Sequence, residues 1–276
     1  MAGMGCVCMS IDIPSMLVGM KSGSPLGTDV RSFLIGKAVG GSPTPPAPTY
    51  DKWATDSWET IKAVSKAGLT AEAYGDQVGA MRDITLTDDT VMTLRLANAT
   101  NDLYDRIGES GKTGLVVEFK DCISTRYKMN EANDNTGGWN ACDMRTTAMD
   151  AVFDLLPSDL KVVIATVGVK TSNGGGNPHE IIVSSDRLFA PAEFEIFGVC
   201  TNSWSGEEDV LSRWGYYSVN DTADARIKKY ESNNAGWALR SPDVNNTSGF
   251  AMTANTGTNA TMRAGANRCV SPAFCI

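Results

Sequence analysis

The sequence predicts an α+β fold, because two segments with helical spacing of apolar residues stand among several segments with strand-like alternation. Its C-terminal stretch places short apolar runs between regularly spaced glycines, which is typical of a tight antiparallel β-meander. A chain of 276 residues, 42% of them hydrophobic, is also long enough to bury one substantial core. Together these observations exclude a wholly disordered chain.

The first helix is predicted directly after Asp56 and Ser57, whose side chains suit the N-cap position. Ile61 and Val64 then follow on one helical face, and Gly68 marks the end. This pattern indicates a short amphipathic helix.

A second helix is predicted over residues 141–156, where Met144, Ala148 and Val152 recur at helical spacing. Pro157 ends the pattern, because proline cannot continue a helix.

Four segments show the alternation or the β-branched composition of strands. Residues 83–87 and 91–96 alternate on either side of a short Asp-Asp-Thr turn and predict a β-hairpin. Residues 115–119 predict a third strand, and residues 161–170 predict another because they are rich in β-branched side chains. Residues 186–197 show no clear period and are left unassigned.

The C-terminal forty residues carry the predicted meander. Gly249, Gly257 and Gly265 stand eight residues apart and separate short strand-like segments. Residues 270–276 are so apolar that we expect them to form a buried final strand.

The chain divides near Tyr50 into two predicted parts. Residues 38–49 combine glycine and proline without any charge, which is typical of a semi-rigid linker. Residues 1–49 are therefore predicted to be an attachment arm and linker, and residues 50–276 a single domain. Residues 1–37 contain too short an apolar patch for a core, so we expect the arm to order against a partner or against its own copies. A frayed terminus is the alternative.

The charge pattern and hydropathy exclude several partner classes. The net charge is −8 and no basic block is present, so nucleic acid is not expected as a partner. Residues 11–20 are interrupted by Asp12, Pro14 and Gly19, so membrane insertion is not expected. The first residues lack the basic start of a secretory signal, and release by cell lysis is one route that needs none.

The seven cysteines show none of the paired spacings of a zinc site, so no metal is expected and most are interpreted as small buried hydrophobes. The single histidine, His179, has no second histidine or nucleophile beside it. The Gly174 to Gly176 run lacks the lysine of a P-loop and the spacing of a dinucleotide fingerprint. We therefore expect no enzymatic activity and no cofactor.

Several short motifs resemble a domain family of unknown function, in which a Trp-Leu-Arg-Ser-Pro box precedes a terminal Arg-Pro-Ala-Phe box. Here the boxes are residues 236–242 and 270–274, and further segments that resemble the family begin at Gly137. The resemblance extends over roughly residues 55–276. Two positions depart from the family pattern: Ala238 stands where a second aromatic is frequent, and Ser271 where arginine is usual.

The resemblance implies a C-type-lectin-like domain of a kind found in gut bacteria and their phages. It implies that the box residues are scaffold rather than ligand contacts. The expected scaffold residues are Trp139, Arg145, Trp237, Arg240, Phe250 and Phe274. The formylglycine-generating enzymes share a related fold and use two C-terminal cysteines, so Cys269 and Cys275 offer an enzymatic alternative, although fold analogy does not transfer function.

The segment after Pro242 has the composition of a contact surface. It contains no Lys, Glu, Gln or Trp and is dominated by Asn, Thr, Ser, Gly and Ala. Such side chains provide adaptable hydrogen bonds at a low entropic cost. The predicted ligand-binding residues are Asp243, Asn245, Asn246, Thr247, Ser248, Asn255, Thr256, Thr258, Asn259, Thr261, Arg263 and Asn267. All of them belong to the set that adenine-specific mutagenesis produces from Asn codons, which suggests diversification by a retroelement.

These expectations describe a phage virion surface or tail-fibre-tip protein that binds a glycan or protein receptor on the host surface. Residues 1–49 would bind other virion proteins, and a homotrimer would add avidity. The expected location is the virion, which becomes extracellular after lysis. A bacterial surface adhesin of the same fold, or a virion decoration protein without a ligand, are the alternatives.

Overall fold

Helices and antiparallel strands alternate along the computed structural model, which describes residues 47–176 and 178–276, so the α+β class is confirmed. In chain order the strands are β1 Met81–Thr85, β2 Val91–Asp105, β3 Lys112–Phe119, β4 Val167–Ser172, β5 Ile181–Asp186, β6 Leu188–Phe189, β7 Lys228–Tyr230, β8 Asn233–Ala235, β9 Trp237–Pro242, β10 Gly249–Thr253, β11 Asn259–Arg263 and β12 Ala273–Cys275. The α-helices are α1 Trp58–Lys66, α2 Thr70–Tyr74, α3 Asp143–Leu155, α4 Ser158–Lys161, α5 Glu193–Phe197, α6 Gly215–Val219 and α7 Ala223–Arg226.

The described residues form one unit that begins at Ala47. The predicted attachment arm, residues 1–49, lies outside the described residues except for residues 47–49. None of the described helices is long and apolar enough to cross a membrane.

The main sheet has five antiparallel strands in the order β1, β2, β3, β12 and β6. The predicted hairpin is confirmed, since Thr85 pairs with Val91 where β1 turns into β2. Strand β3 is buried from Thr113 to Phe119 without the alternation of a half-exposed strand, because both of its faces are covered. The predicted final strand is also confirmed: β12 is fully buried between β3 and β6.

Both predicted helices form where expected. Helix α1 begins at the predicted cap, with the Ser57 hydroxyl accepting a hydrogen bond from the Thr60 amide at 3.1 Å. Its Ile61 and Val64 side chains are fully buried. Helix α3 buries Met144 and other apolar residues of the predicted face.

The strand predicted over residues 161–170 is wrong in its first part. Residues Ser158–Lys161 form helix α4, because Pro157 is followed by Ser158 and Asp159, which favour a helix start. Strand β4 begins at Val167 and pairs with β5 in a separate two-stranded sheet.

The predicted meander is confirmed as a three-stranded antiparallel sheet in the order β11, β10 and β9. The chain reverses between β10 and β11 at Gly257, whose φ of +77° favours glycine. A Cβ atom there would approach the Ala223 carbonyl oxygen to 1.9 Å, so the turn packs directly on helix α7.

Candidate ligand-binding surface

Most of the predicted ligand-binding residues reach the surface of the meander. The exposed ones are Asn245, Asn246, Thr247, Asn255, Thr256, Thr258, Thr261, Arg263 and Asn267. Ser248 and Asn259 are half-buried, and Asp243 is buried. Ligand binding by the exposed residues stays a prediction. Asp243 and Asn259 instead make contacts within the protein.

The expectation that Asp243 faces solvent is wrong. Its side chain is 5% exposed, and its Oδ1 atom accepts a hydrogen bond from the Asn245 amide at 2.9 Å. Asn259 also turns partly inward, where its amide donates to the buried Glu193 carboxylate and accepts from Asn202. The Asp243 side chain therefore stabilises the loop that it begins. Asn259 helps to satisfy the Glu193 carboxylate, which has no cation within salt-bridge distance among the described residues.

The loop between β9 and β10 is hydrogen-bonded to Asn135, which is fully buried. The Asn135 side-chain amide donates to the carbonyls of Asp243, Asn246 and Gly249 at 3.1, 3.2 and 2.7 Å. Its Oδ1 atom accepts from the Gly175 amide at 2.7 Å. One amide side chain therefore fixes the loop that exposes Asn245, Asn246 and Thr247.

The turn between β10 and β11 is fixed by different contacts at the opposite end of the meander. The Ala254 amide donates to the Thr258 carbonyl at 2.8 Å, and the Arg226 Nε donates to the Gly257 carbonyl at 3.1 Å. Asn255, Thr256 and Thr258 are exposed on this braced turn. Most of the predicted residues therefore lie in two groups at opposite ends of the sheet, and Thr261 lies between them in the middle of β11.

A groove of about 450 Å³ lies beside the turn end, between the β7 to β8 hairpin and the meander. Asn255 and Asn267 line it, together with Arg126, Tyr230 and Arg268, which the sequence analysis did not select. Its volume is within the range of small-ligand sites. We call this cavity the arginine groove.

The two guanidinium groups of the arginine groove are not neutralised by acidic side chains. Neither Arg126 nor Arg268 forms an ion pair with a carboxylate of the described residues. Arg126 instead stacks 4.3 Å from the centre of the Tyr230 ring. The buried Nε atom of Arg268 has no hydrogen-bond partner in the described part of the chain. Glu231 also lines the groove, so its lining carries two guanidinium groups and one carboxylate.

The expected scaffold residues lie beneath this surface. Trp139, Trp237, Arg240, Phe250 and Phe274 are fully buried, and Arg145 keeps about one-fifth of its side chain exposed. Asp186 receives hydrogen bonds from the Trp139 indole at 3.0 Å and from the Arg145 Nε at 2.6 Å. None of these residues lines the arginine groove.

Arg240 is the centre of a buried cluster of charged groups. It pairs with Glu195, and the neighbouring Glu207 accepts hydrogen bonds from the Ser241 hydroxyl at 2.6 Å and the Ser172 amide at 2.8 Å. Burial raises the pKa of Glu207 to about 7, although these hydrogen bonds and Arg240 oppose the shift. These carboxylates are sealed from solvent and suit a structural role.

The residues considered for catalysis are dispersed. His179 is half-buried with its ring centre 5.7 Å from that of Trp204, so it packs on an aromatic side chain instead of standing free in its loop. Cys275 is fully buried in β12, and burial raises its pKa well above the ordinary value. Cys269 contacts Cys122 instead. The part of the chain that the structure describes holds no cluster of three His, Cys, Asp or Glu side chains suited to a metal ion.

The fold and the site together define an α+β protein whose C-terminal meander carries an exposed polar surface and an arginine-lined groove. The chain belongs to the family described as Domain of unknown function (DUF6273), which matches residues 113–276. The matched residues include both walls of the arginine groove. No curated protein and no solved structure matches the chain. The expected membership in a family of unknown function is thus confirmed at that level.

Proposed function

We infer that this chain is a receptor-binding protein that recognises an acidic saccharide on a host-cell surface through the arginine groove and the neighbouring turn. The observation that carries the proposal is the position of Asn255 and Asn267 beside Arg126 and Arg268 in one groove. Neither arginine is paired with a carboxylate of the described chain, so the groove offers two cationic donors to an incoming ligand.

The side chains of the groove match the chemistry of a uronic or sialic acid. A guanidinium group binds a carboxylate through two parallel hydrogen bonds, which are stronger than bonds between neutral groups. The amides of Asn255 and Asn267 can both donate to and accept from sugar hydroxyls. The chain has a net charge of −8, so two arginines that lack a carboxylate partner among the described residues favour an anion in this groove against the prevailing charge of the protein.

The contacts that fix the turn between β10 and β11 also support a binding role. The Gly257 contact with Ala223 and the Arg226 hydrogen bond hold the turn before any ligand arrives. A surface that is already ordered loses less conformational entropy on binding. This arrangement explains how short polar side chains can give useful affinity.

The proposed setting is a phage virion, with residues 1–49 attached to other virion proteins and three copies clustered at a fibre tip. Clustering would raise the avidity of a weak saccharide contact. A C-type-lectin-like arrangement is part of this proposal, and it is supported by the return of β12 to the main sheet after the meander. A bacterial surface adhesin would use the same groove.

The exposure of the predicted residues is also compatible with diversification. Asn245, Asn246, Asn255 and Thr256 are exposed, so substitutions there would leave the core intact. Sequencing the source genome tests this idea. We expect near-copies of the segment that differ at exposed positions and a neighbouring reverse transcriptase gene, and the absence of both would refute it.

Isothermal titration calorimetry of the full chain tests the binding proposal. We expect tetragalacturonate to bind with an affinity that falls as salt is added, and the neutral maltotetraose to bind at least about tenfold more weakly. The Arg126→Gln/Arg268→Gln double variant should lose the acidic ligand, whereas Arg263→Gln, at the other end of the meander, should keep it. Equal binding by the double variant and the wild type would refute the site. Binding to host cells that soluble acidic saccharides do not compete would indicate a protein receptor instead.

A further inference from the structure

Two cysteines meet at the wall of the arginine groove although they are far apart in the sequence. The segment after β3 runs antiparallel to the segment before β12: the Ile123 amide donates to the Val270 carbonyl at 2.9 Å, and Tyr127 and Arg268 form a bridge. This pairing places the Cys122 thiol in hydrogen-bond contact with the Cys269 sulfur. Both are free thiols.

The two sulfurs have different surroundings. Cys269 lines the groove, and the guanidinium group of Arg126 contacts its sulfur while Arg268 adds further positive charge. Both cysteines are buried, Cys269 with 3% and Cys122 with 7% of its surface exposed, and only Cys269 lines the groove. The hydrogen bond from Cys122 and the two arginines lower the pKa of Cys269 to about 6, whereas the same hydrogen bond and burial raise the pKa of Cys122 far above its ordinary value. When Cys269 loses its proton, Cys122 therefore keeps its own and donates it in a hydrogen bond to the Cys269 sulfur.

We propose that Cys122 and Cys269 are a redox-active pair, in which Cys269 reacts with a hydroperoxide and Cys122 resolves the product to a disulfide. Nothing in this step depends on the saccharide that the groove binds.

The chemistry balances with the hydroperoxide as the oxidant. The Cys269 thiolate attacks the terminal peroxide oxygen, an S–O bond forms, the O–O bond breaks, and the departing alkoxide or hydroxide takes a proton from solvent and leaves as alcohol or water. Cys122 then attacks the sulfenic sulfur of Cys269. The S–S bond forms, the S–O bond breaks, and the departing hydroxide takes the Cys122 proton and leaves as water. Two electrons pass from the thiol pair to the peroxide.

Peptide mapping of the full chain after hydrogen peroxide treatment tests the pair. Trypsin releases Cys122 in residues 121–126 and Cys269 in residues 269–276, so their disulfide joins two short peptides and is distinct from any product of Cys6 and Cys8. Fragmentation assigns the bond to Cys269 rather than Cys275. We expect this linked peptide in the wild type. We expect a dimedone adduct on Cys269 in Cys122→Ser and no oxidation of Cys122 in Cys269→Ser.

Alkylation of the folded wild type tests the reactivity of Cys269 without any substitution that could disturb folding. At neutral pH, iodoacetamide should modify Cys269 at least about ten times faster than Cys142, which is similarly buried and whose pKa burial raises to about 12. The Cys269 rate should fall when the pH drops below about 6. The proposal is overturned if peroxide gives no linked peptide, or if Cys269 reacts no faster than Cys142.

Discussion

Arg240 and Glu195 form a buried ion pair with two parallel hydrogen bonds, Nη1 to Oε2 and Nη2 to Oε1, each 2.6 Å long. Glu195 also accepts from the Tyr104 hydroxyl at 2.5 Å and from the Ala192 amide at 2.8 Å. The pair thus connects strand β9 of the meander with helix α5 and with strand β2 of the main sheet. The candidate binding surface depends on this connection for its position, so the strength of the connection can be tested by substitution.

Replacing Arg240 with methionine should destabilise the protein by about 3–5 kcal/mol, because Glu195 would remain buried without its partner. Arg240→Lys should also be costly, since lysine cannot form both hydrogen bonds. The free energy of unfolding in urea measures the loss. The matched control is Lys66→Met, which breaks the exposed Lys66 and Glu109 pair and should cost less than about 1 kcal/mol. Equal losses in the two variants would contradict the role of the buried pair.

Glu207 should make the stability depend on pH. Its pKa is about 7 in the folded protein and 4.5 ordinarily, so the folded state binds more protons between these values. The stabilising contribution of the protonated form is full below about pH 4.5 and is lost as the pH rises through about 7, a change of roughly 3 kcal/mol.

Urea unfolding of the wild type and Glu207→Gln at about pH 5 and about pH 8 checks this dependence. The glutamine side chain stays neutral, so the wild type should lose stability relative to the variant as the pH rises. A constant difference between the two proteins at both pH values would show that Glu207 does not titrate in this range.

Gly257→Ala should unfold the turn end of the meander or destabilise the whole protein by several kcal/mol. The added Cβ would collide with the Ala223 carbonyl oxygen, and the positive φ is unfavourable for alanine. Gly75→Ala is the matched control, because its Cβ would meet nothing within 4 Å and its φ is −60°. Thermal unfolding compares the two, and a similar Tm for both variants would contradict the packing of the turn on helix α7.

Asn255→Ala and Asn245→Ala should separate the two ends of the meander. Both side chains are exposed, so each substitution should change the free energy of unfolding by less than about 0.5 kcal/mol. Only Asn255 lines the arginine groove, so we expect Asn255→Ala to weaken tetragalacturonate binding and Asn245→Ala to leave it unchanged. Calorimetric titration measures both affinities. Weaker binding by Asn245→Ala alone would move the site to the other end of the sheet.

Local pattern was sufficient for several of the regular elements. Helix α1 and the β1 to β2 hairpin follow from capping, periodicity and turn chemistry within a few residues of each element. Residues 161–166 were assigned wrongly because β-branched composition outweighed the helix start at Ser158, whereas residues 167–170 do lie in strand β4. Residues 186–197, which show no period, contain β5's end, β6 and helix α5, whose Glu195 is held by Arg240 from strand β9.

The candidate site could be predicted only in part. The polar composition after Pro242 correctly located most exposed positions, but a sequence scale treats Asp243 and Asn245 alike although one is buried and the other exposed. Arg126 was missed because it is distant in sequence from the meander and belongs to no motif. The bridge between Tyr127 and Arg268, which brings it to the groove, leaves no local signal in the sequence.

By itself, the sequence determined the α+β class, two of the helices, a hairpin, a C-terminal meander and a buried final strand, because each depends on the order of apolar and polar residues over a few turns or pleats. The tertiary structure alone decided that Arg126, Arg268, Asn255 and Asn267 share a groove, that Cys122 meets Cys269, and that Arg240 neutralises Glu195. These are contacts between distant segments, and they form only when burial of the common core brings those segments together.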